Sequence, residues 1–293
     1  MTDASVVIAT RDRAWALRGC LTNLAAQDSV GRFETVVVDN GSTDDTAEVI
    51  AAFSGSRVQR VAVGRPNRAK ARNAGIAAAS GRIVIFCDDD TLAPAHYVRA
   101  HLDAHARSPR CVVSGPIVNV ADDQVLPAPD ARHFSRAFLC TCNASVARAD
   151  LIAVGGFDER YELYGWEDTD LGVRLRARGL CRAFSAAAYL HHVKPPRRTT
   201  MVQRLELAAE KGAMAARFVC KSPTWPVRLA TGAYRLNLAR ASLLYARPLR
   251  RLYRRLASAA KRRSNPAAVL AAHALIDAAY VDAMRAGLRG RHG

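Results

Sequence analysis

The sequence has little of what would mark a membrane-spanning, secreted or disordered chain. No apolar run reads as long enough to cross a bilayer, which takes about 20 residues, so no transmembrane segment is expected. The seven cysteines are scattered, and Cys140 and Cys142 have one residue between them instead of the two of a zinc knuckle or redox motif, so reduced thiols are expected. No basic, apolar, small-residue leader is legible before Ser5 to Thr10, which already reads as a strand. Together these readings predict a cytoplasmic protein. Gly and Pro, 18 and 12 residues, are not in excess, and half of the 293 residues are apolar, enough for a sizeable core. That length fits one large domain or two small ones.

Acidic residues are scarce in one part of the chain only. Residues 1–193 hold 22 Lys and Arg against 22 Asp and Glu, whereas residues 194–293 hold 21 against four, which accounts for the whole net charge of +17. The asymmetry marks a boundary, and the expected domains are 1–195 and 196–293.

The first 90 residues alternate between two periodicities. Ser5 to Ala9 is a continuous apolar run, a buried strand, and Leu17, Leu21, Leu24 and Ala25 follow as one helical face. Phe33 to Val38 is a second strand. Ser42 with Asp45 reads as a capping box for a helix carrying Val49, Ile50 and Phe53. A weaker strand is expected over 58–63, then a helix opened by Pro66 and running to Ala79, then a strand over Arg82 to Cys87. This alternation predicts an α/β fold with a parallel sheet, whose ligands sit beyond the carboxyl ends of the strands. Thr10, Asp39 and Asp88 to Asp90 are at those ends. Further on, residues 111–118 and Ala183 to Leu190 read as strands and 119–136 as a loop, and Gly179 ends a helix bearing Leu171 and Leu175.

Asp88, Asp89 and Asp90 directly follow an apolar strand. Three adjacent carboxylates repel one another, and either solvent or a hard divalent cation must neutralise them. Asp39 leads into Gly41 and Ser42, where a carboxylate can accept a nucleobase N–H; a helix N-cap region is the alternative. Arg68 and Arg72 share a helix face and suit a diphosphate beside a metal, unless the face is merely solvated. Gly165 and Trp166 offer a bare backbone and a flat ring for a sugar, and Glu167, Asp168 and Asp170 follow at a helix start. The helix dipole there would keep Asp168 ionised, as a general base must be. His191 and His192 end a candidate strand, where an imidazole can complete the coordination of an Asp-bound metal.

In their order along the chain, five segments resemble glycosyltransferase family 2: Ser5 to Thr10, Val36 to Asp44, Ala71 to Gly75, Ile85 to Asp90, and Gly155 to Asp158 with Gly165 to Asp170. The resemblance covers about residues 4–195, and the Gly-Trp-Glu-Asp signature is similar to that of galactosyltransferase-like and polypeptide N-acetylgalactosaminyltransferase-like domains. It implies a GT-A, Rossmann-like nucleotide-sugar-binding sheet flanked by helices. It also implies a divalent metal, Mn²⁺ or Mg²⁺, and a nucleotide-sugar donor, UDP-linked by preference. Thr10 and Asp39 are then expected to hold the nucleobase, with Arg11, Arg68, Arg72, Asp88 and Asp89 also on the donor. Asp88 and Asp90 are expected on the metal, completed by His191 or His192, of which His191 fits better. Asp168 is expected as the base beside Glu167 in an inverting transfer, and Gly165, Trp166 and Asp170 on the acceptor side, with loops at 119–140 and 195–205.

Residues 200–263 read as helical, with a dense basic stretch of Arg247, Arg250, Arg251, Arg254, Arg255, Lys261, Arg262 and Arg263. Leu249, Leu252, Tyr253 and Leu256 form an apolar stripe that suits either an anionic membrane surface or packing on the catalytic domain. A peripheral place at the inner face of the membrane follows from the first reading. A further helix from Ala267 to Met284 is suited to homodimer contacts. Nucleic acid is disfavoured, because aromatics are only 6% of residues and no fold for it is legible. Two rivals differ in kind. A sugar-1-phosphate nucleotidyltransferase needs a Gly-rich loop after the first strand, which Thr10 to Arg13 lacks. A basic binding protein with a decayed transferase domain would have no reason to keep the acidic cluster.

Overall fold

The computed structural model describes residues 2–29, 32–121, 126–135, 137–194, 199–259 and 265–290. Residues 122–125, 136 and 195–198 of the expected acceptor loops, and Lys261, Arg262 and Arg263 of the basic stretch, lie outside the described residues. The chain divides into two compact units, Met1–Glu162 with Glu167–Pro196, and Leu163–Trp166 with Arg197–Gly293. The short segment holding Gly165 and Trp166 thus belongs to the second unit, not to the first, as its sequence position suggests.

In the first unit the chain runs β1 (Ala4–Thr10), α1 (Ala14–Ala25), β2 (Phe33–Asp39), α2 (Thr46–Ala51), β3 (Val58–Ala62), α3 (Arg68–Ala78), β4 (Ile83–Cys87), β5 (Thr91–Leu92) and α4 (Tyr97–Arg107). It continues with β6 (Cys111–Ser114), β7 (Ile117–Val120), β8 (Asn143–Ala147), α5 (Arg148–Ala153), α6 (Glu167–Ala177), β9 (Cys181–Phe184) and β10 (Leu190–Val193). Among the described residues the strands form a seven-stranded sheet in the order β3-β2-β1-β4-β8-β6-β9 and a three-stranded one in the order β5-β10-β7. β8 is antiparallel to both of its neighbours, and the rest of the large sheet is parallel. Because side chains alternate across a strand, Val6 and Ile8 join Leu17, Leu21 and Tyr97 in a core on one face. Val7 joins Ile76, Phe86, Leu171 and Leu175 on the other. Both faces are covered, which is why these strands are apolar throughout instead of alternating.

Tight contacts fix the helices. A side chain at Gly75 would place its Cβ 2.4 Å from Val7 Cγ1, so α3 lies close on β1 only because it has none. Two residues before Gly75, Asn73 donates to Phe157 O at 2.9 Å and accepts from Phe157 N at 2.7 Å, clamping the loop at Gly156 and Phe157.

Several local expectations are corrected. Ser42 does not cap α2; its hydroxyl accepts from Asp12 N at 3.1 Å, tying the β1 and β2 loops together. α3 opens at Arg68 and not at Pro66, with Asn67 as its cap, accepting from Lys70 N at 2.9 Å. The strand expected over 111–118 is interrupted at Gly115, where any Cβ would strike Ala188 O. The one expected over 183–190 splits in the same way into β9 and β10. The thiols are not all reduced. Cys111 and Cys181 are joined in a disulfide, with Cα atoms 4.5 Å apart. They are 70 residues apart in sequence and become neighbours only through the parallel register of β6 and β9.

The second unit is helical: α7 (Met201–Lys221), α8 (Trp225–Thr231), α9 (Arg235–Leu244), α10 (Arg247–Ala259) and α11 (Pro266–Arg289). α11 corrects the expectation that no segment reaches membrane-spanning length. Its 24 residues include a window of mean hydropathy 1.4, long and apolar enough by length and composition to cross a bilayer. The alanines that supply this hydropathy are small, and the sequence does not read as a continuous apolar run. α11 packs along α7, with Gly287 against Ala216 and Gly212 against Tyr280 O. Arg250 of α10 pairs with Asp282 of α11, at 2.9 Å from Nη2 to Oδ1.

Behind the large sheet, His101 Nδ1 lies 2.8 Å and His105 Nε2 2.9 Å from Ser145 Oγ, while Asn143 receives Tyr97 OH at 3.1 Å and donates to Pro116 O and Ala188 O. Burial holds the imidazoles neutral, pulling His101 down to about 3 and His105 to about 4. An unfolded histidine titrates near 6.5, so as pH falls the unfolded chain takes up protons first. The stability these groups contribute is complete above about pH 6.5 and is lost on acidification toward pH 4. Going from pH 7 to 5 should cost roughly 2–4 kcal/mol of unfolding free energy from the pair. Urea titrations at the two pH values should show this, and His101→Gln with His105→Gln should flatten it.

Candidate active site

The β1 and β2 termini meet the acidic turn after β4 at the carboxyl edge of the sheet. Asp12 adopts φ 51°, and its Oδ1 accepts from Thr43 N at 2.7 Å, while Asp44 Oδ2 accepts from Ala14 N at 3.0 Å. These turns aim Arg13 inward. Its guanidinium lies 3.2 Å from Asp89 Oδ1 and 2.5 Å from Asp90 Oδ2. Arg11, named from the sequence, points the other way and pairs with Asp12 at 3.5 Å. Nothing in the run Arg11-Asp12-Arg13 distinguishes the two arginines; the left-handed residue between them does.

Each carboxylate of the cluster has its own environment. Asp89 is buried and accepts from Thr10 Oγ1 at 2.7 Å. Burial pushes its carboxyl up to about 7 against the pull of Arg13 and Thr10. Thr10 and Asp89 are thus spent on each other. Asp90 is also buried, but His192 and Arg13 outweigh that and hold it below the ordinary carboxylate value. Its Oδ1 lies 3.0 Å from His192 Nε2 without the alignment of a hydrogen bond. Asp88 is partly open and faces Arg72 at 3.8 Å. Ligand atoms of Asp88, Cys142 and His192 lie within 4.8 Å of one another. His192, rather than His191, reaches the cluster: His191 lies on the other side of β10, with Nε2 2.9 Å from Pro127 O. The preference for His191 is corrected by the strand's alternation.

Asp39, at the end of β2, accepts from Ser42 N at 2.9 Å and pairs with Arg60 at 2.6 Å. Burial raises its carboxyl, yet these partners outweigh burial and hold it below the usual range. On α3 the two expected arginines part company. Arg68 is exposed at the first helical position, whereas Arg72 is turned in, 3.0 Å from Glu167 Oε1 and over the Phe157 ring at 5.6 Å. Glu167, Asp88 and Asp168 keep Arg72 firmly protonated despite its burial.

At the start of α6, Asp168 Oδ1 accepts from Thr169 N at 2.7 Å. The helix dipole was expected to keep this carboxyl readily ionised. Instead burial, with the charge of Glu167 added, pushes it above the ordinary carboxylate value, and Arg72 only partly opposes that. Asp170 is turned into the core and accepts from Arg174 at 2.9 Å, and Arg174 donates to Val154 O and Gly156 O. The expectation that Asp170 meets an acceptor is corrected: helical spacing puts it a half-turn away from Asp168, on the buried side.

In the helical unit Trp166 adopts φ 74°, unusual for a residue with a side chain, after Gly165 at φ 100°. Its Nε1 donates to Lys211 O at 3.0 Å, its ring lies 5.9 Å from that of Phe218, and Lys211 Nζ is 5.5 Å from its centroid. Trp166 and Tyr164 line a cavity of about 680 Å³ with Lys211, Arg240 and Tyr234. The ring is therefore held in place, with part of its surface already covered.

The family model described as "Glycosyl transferase family 2" matches residues 5–154, and one described as "N-terminal domain of galactosyltransferase" matches 125–198. The chain is 33% identical over 219 residues to validoxylamine A glucosyltransferase of Streptomyces hygroscopicus subsp. jinggangensis, an alignment covering 60% of this chain and 52% of that protein. The chain thus spans about half the length of the curated relatives it matches first. In fold it is similar to the mannosyltransferase PcManGT from Pyrobaculum calidifontis in complex with GDP-Man and Mn²⁺, with TM-score 0.62 and 21% identity over 99% of this chain and 88% of that one. It is also similar to S. aureus TarS 1-349 in complex with UDP-GlcNAc, with TM-score 0.59 and 17% identity over 99% and 92%. With a profile that spans half its residues, and the acidic turn, arginine-bearing helix and Glu-Asp pair gathered at one sheet edge, the chain belongs to glycosyl transferase family 2.

Proposed function

We propose that the protein transfers a sugar from a nucleotide diphosphate donor, UDP-linked by preference, to an acceptor hydroxyl, with inversion at the anomeric carbon. The observation that carries this reading is the meeting of Asp88, Asp90 and His192 with the Arg72–Glu167–Asp168 group in one unit. PcManGT and TarS, similar in fold, are described with GDP-Man and Mn²⁺ and with UDP-GlcNAc, which supports a donor of this class.

The residues fit a hard divalent cation: ligand atoms of Asp88 and His192 lie within 4.8 Å of each other, and Asp90 Oδ1, sealed from solvent without an aligned partner, is 3.0 Å from His192 Nε2. Asp88, Asp90 and His192 would hold Mn²⁺ or Mg²⁺, which supplies positive charge for the departing diphosphate. Cys142 is the poorer ligand, since burial drives its thiol well above the ordinary value and a hard ion prefers oxygen. Asp39, at the end of β2, would accept from the nucleobase. Asp168 takes the acceptor proton while the acceptor oxygen bonds to the anomeric carbon. The bond from that carbon to the donor phosphate oxygen breaks, and the nucleoside diphosphate departs. A carboxyl raised above its ordinary value is the better base, provided pH keeps it ionised. Glu167 is a positioning residue, tying the start of α6 to Arg72 and so to Asp88.

Donor hydrolysis across a panel of nucleotide sugars tests the reading. Wild-type protein should need Mn²⁺ or Mg²⁺, and Asp90→Ala should lose turnover; full activity in chelator would sink the metal assignment. Asp168→Asn should lower kcat at least about a hundredfold with donor KM little changed. The wild-type kcat should fall as pH drops through the raised Asp168 pKa, and that acid limb should vanish in the variant. Asp170→Ala should behave differently, costing roughly 3 kcal/mol of stability by stranding Arg174 while a folded fraction keeps its kcat. If Asp168→Asn kept a normal kcat, the base would lie elsewhere.

A further inference from the structure

Residues 194–293 carry the whole net charge of the chain, and the helical unit holds its most exposed large apolar side chains. Leu236 is 78% exposed, Leu243 74%, Leu270 68% and Trp225 62%, beyond any large apolar residue described in the first unit. Their placement is not random. On α9, Asn237, Arg240 and Ala241 line the cavity within the unit, so the helix has an inner face. Leu236, Ala239 and Leu243, at i, i+3 and i+7, form an exposed stripe on the outer side, flanked by exposed Arg235. On α10, Arg250 is used inside the unit by Asp282, and Tyr253 OH donates to Leu244 O at 3.2 Å. Leu252 and Leu256 remain exposed one turn apart, among exposed Arg247, Arg251, Arg254 and Arg255.

From this pairing of exposed leucine stripes with arginines we propose that the helical unit docks on an anionic lipid bilayer surface. Leu236, Leu243, Leu252 and Leu256 enter the interfacial layer, and the arginines of α9 and α10 lie among lipid phosphates. Each half of the arrangement explains the other. Apolar side chains left in water are stabilised by entering the acyl boundary, and arginines beside them are stabilised by the negative headgroups. A second copy of the chain is the weaker occupant, because joining two such faces would bring like charges together. A nucleic acid would meet the arginines and leave the leucines without a partner.

Flotation of the full chain with vesicles tests this. Binding is expected to vesicles of phosphatidylcholine with phosphatidylglycerol and not to phosphatidylcholine alone, and added salt should release it, since surface attraction is screened within about 8–10 Å. Leu236→Asp with Leu243→Asp should weaken partitioning at least about tenfold, and Arg251→Glu with Arg254→Glu and Arg255→Glu should do likewise. Circular dichroism and thermal melting should stay near wild type, because these side chains are exposed. Any of four results overturns the proposal: no flotation, equal flotation on neutral vesicles, binding indifferent to the leucine substitutions, or a dimer in sedimentation that those substitutions dissolve. Donor hydrolysis in lipid-free buffer is read separately, so failure of docking leaves the transferase reading standing, and the reverse.

Discussion

Three consecutive carboxylates at the end of a buried strand have to be neutralised, and much of the site's geometry follows from how this is done. Arg13 covers Asp89 and Asp90, Arg72 faces Asp88, and His192 closes on Asp90. Each partner comes from a different element: the turn after β1, the second turn of α3, and β10. The cluster therefore gathers the sheet edge around itself. Arg72 extends the chain of charge to Glu167 and so fixes the start of α6, where Asp168 sits. Neutralisation is uneven, with Asp89 pushed up by burial and Asp90 held down by its partners. One carboxylate is committed to Thr10 and the architecture, while Asp88 is partly open.

The same economy of charge separates the two units. The first is balanced, and its acids and bases meet across buried or half-buried contacts that hold loops in place, as Arg174 does for Asp170 and the Gly156 loop. The second has few acids, and two of them, Asp277 and Asp282, are met by Tyr245 and Arg250 within the unit. Its lysines and arginines far outnumber its acids. Close helix packing at Gly212 and Gly287 gives the unit its interior, while several leucines stay outside it.

The sheet was legible because buried parallel strands must be apolar along their whole length and the helices between them must carry one apolar face. The strand-end residues followed from the rule that ligands sit beyond the carboxyl ends. What misled the reading was local ambiguity. Arg11 and Arg13, His191 and His192, Arg68 and Arg72 are near neighbours of the same type, and composition cannot say which faces inward. Cap residues such as Ser42 are chemically able to serve a helix or a loop, and here the loop took it.

By itself the sequence determined the alternating α/β order, the acidic turn after the fourth strand, the Glu-Asp pair and the division of charge near residue 194, because each is written in neighbouring residues. Tertiary structure alone decided the rest. The φ of Asp12 selected Arg13, the alternation of β10 selected His192, and the turn of α6 sent Asp170 inward and left Asp168 beside Arg72. The register of β6 on β9 joined Cys111 to Cys181 across 70 residues. These choices depend on which side of a backbone a side chain leaves and on what lies opposite it, and partners tens of residues away in the chain supply the answer.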